Sequence, residues 1–144
     1  MLTYRPLIIF GLTLSLGFSQ TLFAHGDVTP QAVDTSGLPV LGEEWVETNP
    51  FRENDELKPL AQKIGKSAYN QNCARCHGLE VISGGIAPDL RYLEETPDGD
   101  DWFKERVTNG AVRDGKVYMP KFLGTISQEG LWAIRTYIDS RGED

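Results

Sequence analysis

The sequence predicts a mainly α-helical fold with long loops, on three observations. Apolar residues recur at helical spacing in three segments, and no segment alternates apolar and polar residues as a half-buried strand would. Eight prolines and fifteen glycines in 144 residues mark a chain with much connecting loop. That length fits one domain, and 40% apolar with 24% charged residues is an ordinary globular composition. Fourteen Lys and Arg against 21 Asp and Glu leave a net charge of −7 with no basic run, which argues against nucleic acid or an anionic membrane surface as partner.

Residues 1–24 have the plan of a secretory signal peptide: Arg5 in a short n-region, the apolar run "LIIFGLTLSLGF", and a small residue, Ala24, at the cleavage site. The run falls short of the roughly 20 residues a spanning helix needs. The mature chain is then expected to be residues 25–144, with 13 cationic against 21 acidic side chains, or −8, placed in the periplasm and not embedded in a membrane.

Residues 25–56 show neither period. Pro30, Pro39 and Pro50 interrupt an acidic stretch that reads as an extended arm, and Val33, Leu38, Val40, Leu41, Trp45 and Phe51 can hold it on a surface. Residues 57–144 form the main domain. A first helix over 59–72 carries Leu60, Ala61, Ile64 and Ala68 on one face, with Pro59 tolerated in its first turn. A second over 100–108 carries Trp102, Phe103, Arg106 and Val107, with acids at its start and Gly110 to end it. A third over 127–140 has Ser127 as N-cap and Leu131, Ile134 and Ile138 as its apolar stripe. Residues 79–99 and 111–124 are expected to be loops. Three short helices make a small core, and domains of this size usually need a staple.

Both cysteines fall in "NCARCHG". Cys73-Ala74-Arg75-Cys76-His77 is the C-x-x-C-H pattern of covalent haem attachment. Two thiols one helical turn apart can each add to a porphyrin vinyl group, and the next residue then lies where its imidazole reaches the iron. Three other uses of the pair fit less well. A thioredoxin-like pair opens a helix beside a β-sheet. A structural zinc site wants four ligands. A disulfide across two residues would stabilise little.

His77 is thus a candidate axial ligand. Met119, in "GKVYMPKFLG", is the only methionine after the leader and the candidate for the sixth position; a lone methionine can equally fill a core gap. A His/Met pair closes both axial sites, which means electron transfer rather than catalysis. An open sixth site with Met119 merely packed would instead mean a ligand sensor or a peroxidase-like enzyme. A two-haem peroxidase would need a second C-x-x-C-H, and the chain has one. A ligating imidazole needs an acceptor for its other N–H, and Pro88, in "GGIAPDLRYL", offers a carbonyl on a stiff backbone.

"YNQNCARCHG", "APDL", "YMPKF" and "AIRTYI" in this order resemble the class I cytochromes c over residues 57–140. The resemblance implies three to five short helices wrapped round one covalently bound haem c. Cys73 and Cys76 would form the thioethers, His77 and Met119 would be the axial ligands, and Pro88 the acceptor for His77. It also implies a crossing of the first and last helices, with Gly65 and Tyr69 against Ile134 and Tyr137, and Trp102 near a haem propionate. The arm, through "HGDVTPQAVDTSGLPVLGEEW" and "TNPFR", is similar to the Ped-type periplasmic cytochromes c, which implies a quinoprotein (PQQ) alcohol dehydrogenase as electron donor and a terminal oxidase or another cytochrome as acceptor. On this reading the protein is a monomeric one-electron carrier, and Arg75, Lys116 and Lys121, which flank the ligand-bearing segments, are candidate docking groups. The rival arrangement is a haem subunit held permanently on a dehydrogenase. Carboxylates in the arm make calcium conceivable, without a loop pattern for it.

Overall fold

The computed structural model describes residues 28–143, so the expected signal peptide, residues 1–24, lies outside the described residues. Helix α1 spans Lys58–Asn72, a short α2 spans Ala74–His77, α3 spans Pro97–Asn109 and α4 spans Gln128–Asp139. Two 3-10 turns, Leu79–Val81 and Leu90–Tyr92, lie between α2 and α3.

The segment 111–124, expected as a loop, contains a hairpin. Strands β1 (Ala111–Arg113) and β2 (Lys116–Met119) pair antiparallel, Val112 opposite Val117 and Arg113 opposite Lys116. The turn is Asp114-Gly115 with φ of 50° and 73°, positive at both central residues as in the type I′ turn whose twist suits a hairpin. Strands of three and four residues are too short to show a period, and Val112 and Val117 are both solvent-exposed. The fold is otherwise helical as expected.

Helix boundaries follow local chemistry. The side chain of Asn54 accepts the amide of Leu57 at 3.0 Å and so starts α1, with Pro59 in the first turn. Helix α3 begins at Pro97, ahead of the expected start at Asp100, because Thr96 caps it through the Gly99 amide and Pro97 pre-sets its first turn. Ser127 caps α4 as expected.

Helices α1 and α4 cross at Gly65. Ala61, Gly65, Ala68, Tyr69 and Asn72 form the buried stripe of α1, and the rings of Tyr69 and Tyr137 meet at 5.4 Å between centroids. The expected crossing is present, with Ala133 as the backbone nearest Gly65. Helix α4 is buried on every face from Gln128 to Ile138. An amphipathic helix has one wet face; here the arm covers it.

Residues 28–56 form no helix or strand, so their amides need partners elsewhere. The α4 side chains supply some of them. Glu129 accepts the Leu41 amide at 2.6 Å, and Gln128 accepts from Val46 while donating to the carbonyls of Gly42 and Glu44. Trp45 packs edge-on to Trp132, centroids 5.4 Å apart, and Phe51 is fully buried. Arg52 reaches Asp100 of α3 and Asp139 of α4. Among the described residues no helix is long and apolar enough to cross a membrane.

Candidate functional site: a haem cavity

A cavity of about 800 Å³ opens between these elements. Its apolar wall comes from α3 and α4, including Phe103, Val107, Leu131, Ile134 and Ile138. Cys73, Cys76, His77, Pro88 and Met119 all line it, so the structure gathers every sequence-predicted site residue into one space.

The cysteine segment is shaped by its helix ends. Cys73 is both the last cap of α1 and the first of α2. Its carbonyl accepts the amides of Cys76 at 3.1 Å and His77 at 2.9 Å, closing a single turn that sets the two thiols and the imidazole against the same cavity. Burial and then the neighbouring Cys76 push the Cys73 thiol up to about 12, which favours its neutral form in the folded chain.

His77 is 9% exposed, and its Nδ1 lies 2.8 Å from the Pro88 carbonyl oxygen. A carbonyl only accepts, so Nδ1 carries the proton and Nε2 keeps its lone pair free for a metal. Burial lowers the pKa of His77 and outweighs the opposing pull of the Pro88 carbonyl, which favours the neutral, ligand-competent ring. The turn that follows runs through left-handed backbone at Glu80 (φ 54°) and Val81 (φ 68°). Tyr69 Oη donates to the Gly78 carbonyl at 2.8 Å and Tyr137 Oη to Glu80 at 3.2 Å, and Val81 is fully buried, which together hold this uncommon path.

Pro88 is itself fixed by the next residue. Asp89 accepts from the Arg91 side chain and from the amides of Ser83 and Arg91. Those bonds, the Arg91 side chain first, hold its carboxyl down at about 2. A depressed carboxyl stabilises the folded loop above its ordinary value of 3.8 and loses that effect as pH falls towards about 2. Acid titration of visible circular dichroism should therefore show the His77 environment changing in that window, and Asp89→Asn should remove the transition.

Met119 ends β2, partly buried against the core, with the Gly110 backbone packed against its carbonyl. The expected loop is a hairpin, and the hairpin carries Met119 to the cavity. Among the described residues two charged side chains besides the imidazole line the cavity, Arg106 and Arg113, and no carboxylate does. Sequence reasoning gives neither arginine that role: it sets Arg106 in the stripe of the second helix and Arg113 in an expected loop. Arg106 stacks over Trp102 at 5.6 Å and Arg113 over Tyr118 at 5.7 Å. Trp102 also lines the cavity, at 40% exposure. Among the described residues no three His, Cys, Asp or Glu side chains cluster to hold a separate metal ion.

The donor set fits a haem: an apolar slot for the macrocycle, two thiols one turn apart for its vinyl groups, an imidazole of fixed tautomer and a thioether sulfur for iron, and two guanidiniums for its carboxylates. Fold and cavity together define a c-type haem protein. The chain belongs to the cytochrome c family. The family model described as cytochrome c oxidase, cbb3-type, subunit III matches residues 61–138. The chain is 66% identical to cytochrome c550 of Pseudomonas aeruginosa over 134 residues, 93% of this chain and 90% of that protein. It is 36% identical over 82 residues to quinohemoprotein alcohol dehydrogenase ADH-IIG of Pseudomonas putida, 57% of this chain but 11% of that one. Cytochrome c6 of Euglena gracilis is 34% identical over 76 residues, 51% of this chain and 85% of that protein. No solved structure matches the chain. The protein carries covalently bound haem c and is an electron carrier rather than an enzyme.

Proposed function

We propose that this protein is a periplasmic one-electron shuttle, with residues 1–24 removed as a leader, the arm 25–56 wrapped on the haem domain 57–144, and His77 and Met119 as the two axial ligands. The observation that carries it is the gathering of both thiols, His77 and Met119 on one cavity, with Pro88 fixing the His77 tautomer. Haem c supplies a one-electron iron couple. Cys73 and Cys76 tether it, His77 offers Nε2, and Met119 offers its sulfur. With His77 and Met119 both holding the iron, no open coordination site would be left for a substrate.

For the donor, the similarity of residues in this domain to quinohemoprotein alcohol dehydrogenases supports a PQQ-dependent alcohol dehydrogenase. In those proteins the similar region is a small part, 11%, of a longer chain. Each encounter moves one electron, so two encounters reoxidise one quinol and release two protons to solvent. The electron then passes to a terminal oxidase or another cytochrome.

An absorption spectrum tests the ligation. The ferric protein should show the weak far-red band of a sulfur–iron bond, and carbon monoxide should leave the ferrous spectrum unchanged. Met119→Ala should abolish the band and admit carbon monoxide. A high-spin wild-type spectrum would overturn the carrier reading in favour of an open-site sensor or enzyme.

Charge supports a steered encounter. Residues 28–56 hold seven acids and one base, a balance of −6, whereas residues 57–144 hold thirteen acids and twelve bases, −1. Arg75, Lys116 and Lys121 are exposed and in no ion pair among the described residues, beside segments that line the cavity. Lys116→Glu with Lys121→Glu should slow association with the dehydrogenase by about tenfold at low ionic strength and flatten its salt dependence, read by stopped flow. Rates equal to wild type at every salt concentration would remove these lysines from docking.

A further inference from the structure

We propose that Asn72 and the start of the arm, residues 28–31, form a latch that closes the cysteine side of the cavity and keeps the reduction potential high. The proposal rests on the haem reading of that cavity. Val28 lines the cavity although it stands far ahead of the first helix in the chain. Close behind it, the Gln31 amide donates to Asn72 Oδ1 at 2.7 Å. Asn72 is 3% exposed, lines the same cavity and directly precedes Cys73. Its Nδ2 donates to the Ala68 carbonyl at 3.1 Å, so the rotamer is held from behind and the oxygen is turned to the arm. A buried asparagine with both ends satisfied, between a haem-attachment cysteine and an arm without strands, specifies one register for that arm. Val33 then packs on the core, close beside Gly130 of α4. The segment is thus pinned twice, by the Gln31 amide and by the Val33 side chain.

Residues 28–31 are Val, Thr, Pro and Gln and carry no charge. The latch therefore excludes water without adding a field of its own, unlike the acidic remainder of the arm. Ferric haem holds one more positive charge than ferrous haem, and water solvates that charge. Excluding water favours the ferrous state and raises the potential.

Two substitutions open the latch without changing charge. Asn72→Leu removes the acceptor, and Gln31→Pro removes the amide donor. Each should lower the midpoint potential while the far-red methionine band persists, and the double variant should fall no further than either single one, because both break one contact. Unchanged potentials with the band intact would overturn the latch and leave the haem reading standing. Loss of the band in either variant would also count against it, since a latch acts on solvent access and not on ligation. If a variant fails to mature, hydrogen exchange in the unaltered holoprotein decides. The Gln31 amide should exchange slowly, and exchange at the rate of an open chain would sink the proposal.

Discussion

Asp100→Ala should destabilise the protein by about 3–5 kcal/mol, as a lower denaturant midpoint in urea unfolding of the holoprotein. Asp100 is completely buried in the first turn of α3. Its carboxylate accepts from Arg52 at 2.6 and 2.9 Å, from Arg135 Nε at 3.0 Å and from the Asn49 amide at 3.0 Å. Burial works against the charge, but the bonds from Arg52, the Asn49 amide and Arg135 outweigh it and hold the carboxyl below its ordinary value. Alanine would leave Arg135, itself fully buried, with the Glu94 carbonyl and with Asp139, 2.8 Å away as an ion pair without the alignment of a hydrogen bond. Arg52 would lose its bidentate partner, and the arm its main tie to α3. The loss is a large fraction of the roughly 5–15 kcal/mol typical of a whole domain. A loss below about 1 kcal/mol would show that the cluster is solvated and unimportant. Because the depressed carboxyl stabilises above its unfolded value of 3.8, the gap between wild type and variant should narrow as pH falls below it.

That cluster also shows what a sequence does not disclose. Cys73, Cys76 and His77 are legible because thioether chemistry forces them into one short run. Met119 stands out in the sequence because no other methionine follows the expected leader, residues 1–24, and the structure sets it on the cavity. The three longer helices are legible because one face of each repeats. Arg52 and Asp100 lie 48 positions apart, and nothing near either residue announces the other. Gln128 and Glu129 read as an ordinary polar first turn, yet they are buried, because an arm without secondary structure takes its hydrogen bonds from them. Asp114-Gly115 is a hairpin signal, but the strands that flank it are too short to confirm the turn. Thr96-Pro97 likewise marks the start of α3, and the acids further on obscure it.

Gly65→Ala is the substitution with the second large effect, and its sign runs against helix propensity. In an exposed helix interior alanine is better than glycine by about 0.5–1 kcal/mol. Here a Cβ at position 65 would overlap the Ala133 carbonyl oxygen and lie 3.0 Å from the Tyr137 Cβ. The first obstacle is backbone of α4, which cannot rotate away, so the helices must part. Overpacking of this kind costs about 1–3 kcal/mol or more, which exceeds the propensity gain. The displacement also reaches the cavity, since α4 carries Leu131, Ile134 and Ile138 on its wall and α1 leads straight into Asn72 and Cys73. Gly65→Ala should therefore lower Tm by several degrees and weaken the far-red methionine band together, with Gly65→Val worse on both counts. A variant that melts higher than wild type would mean that the crossing is loose, and that the close approach of α1 to α4 does not set the shape of the haem cavity.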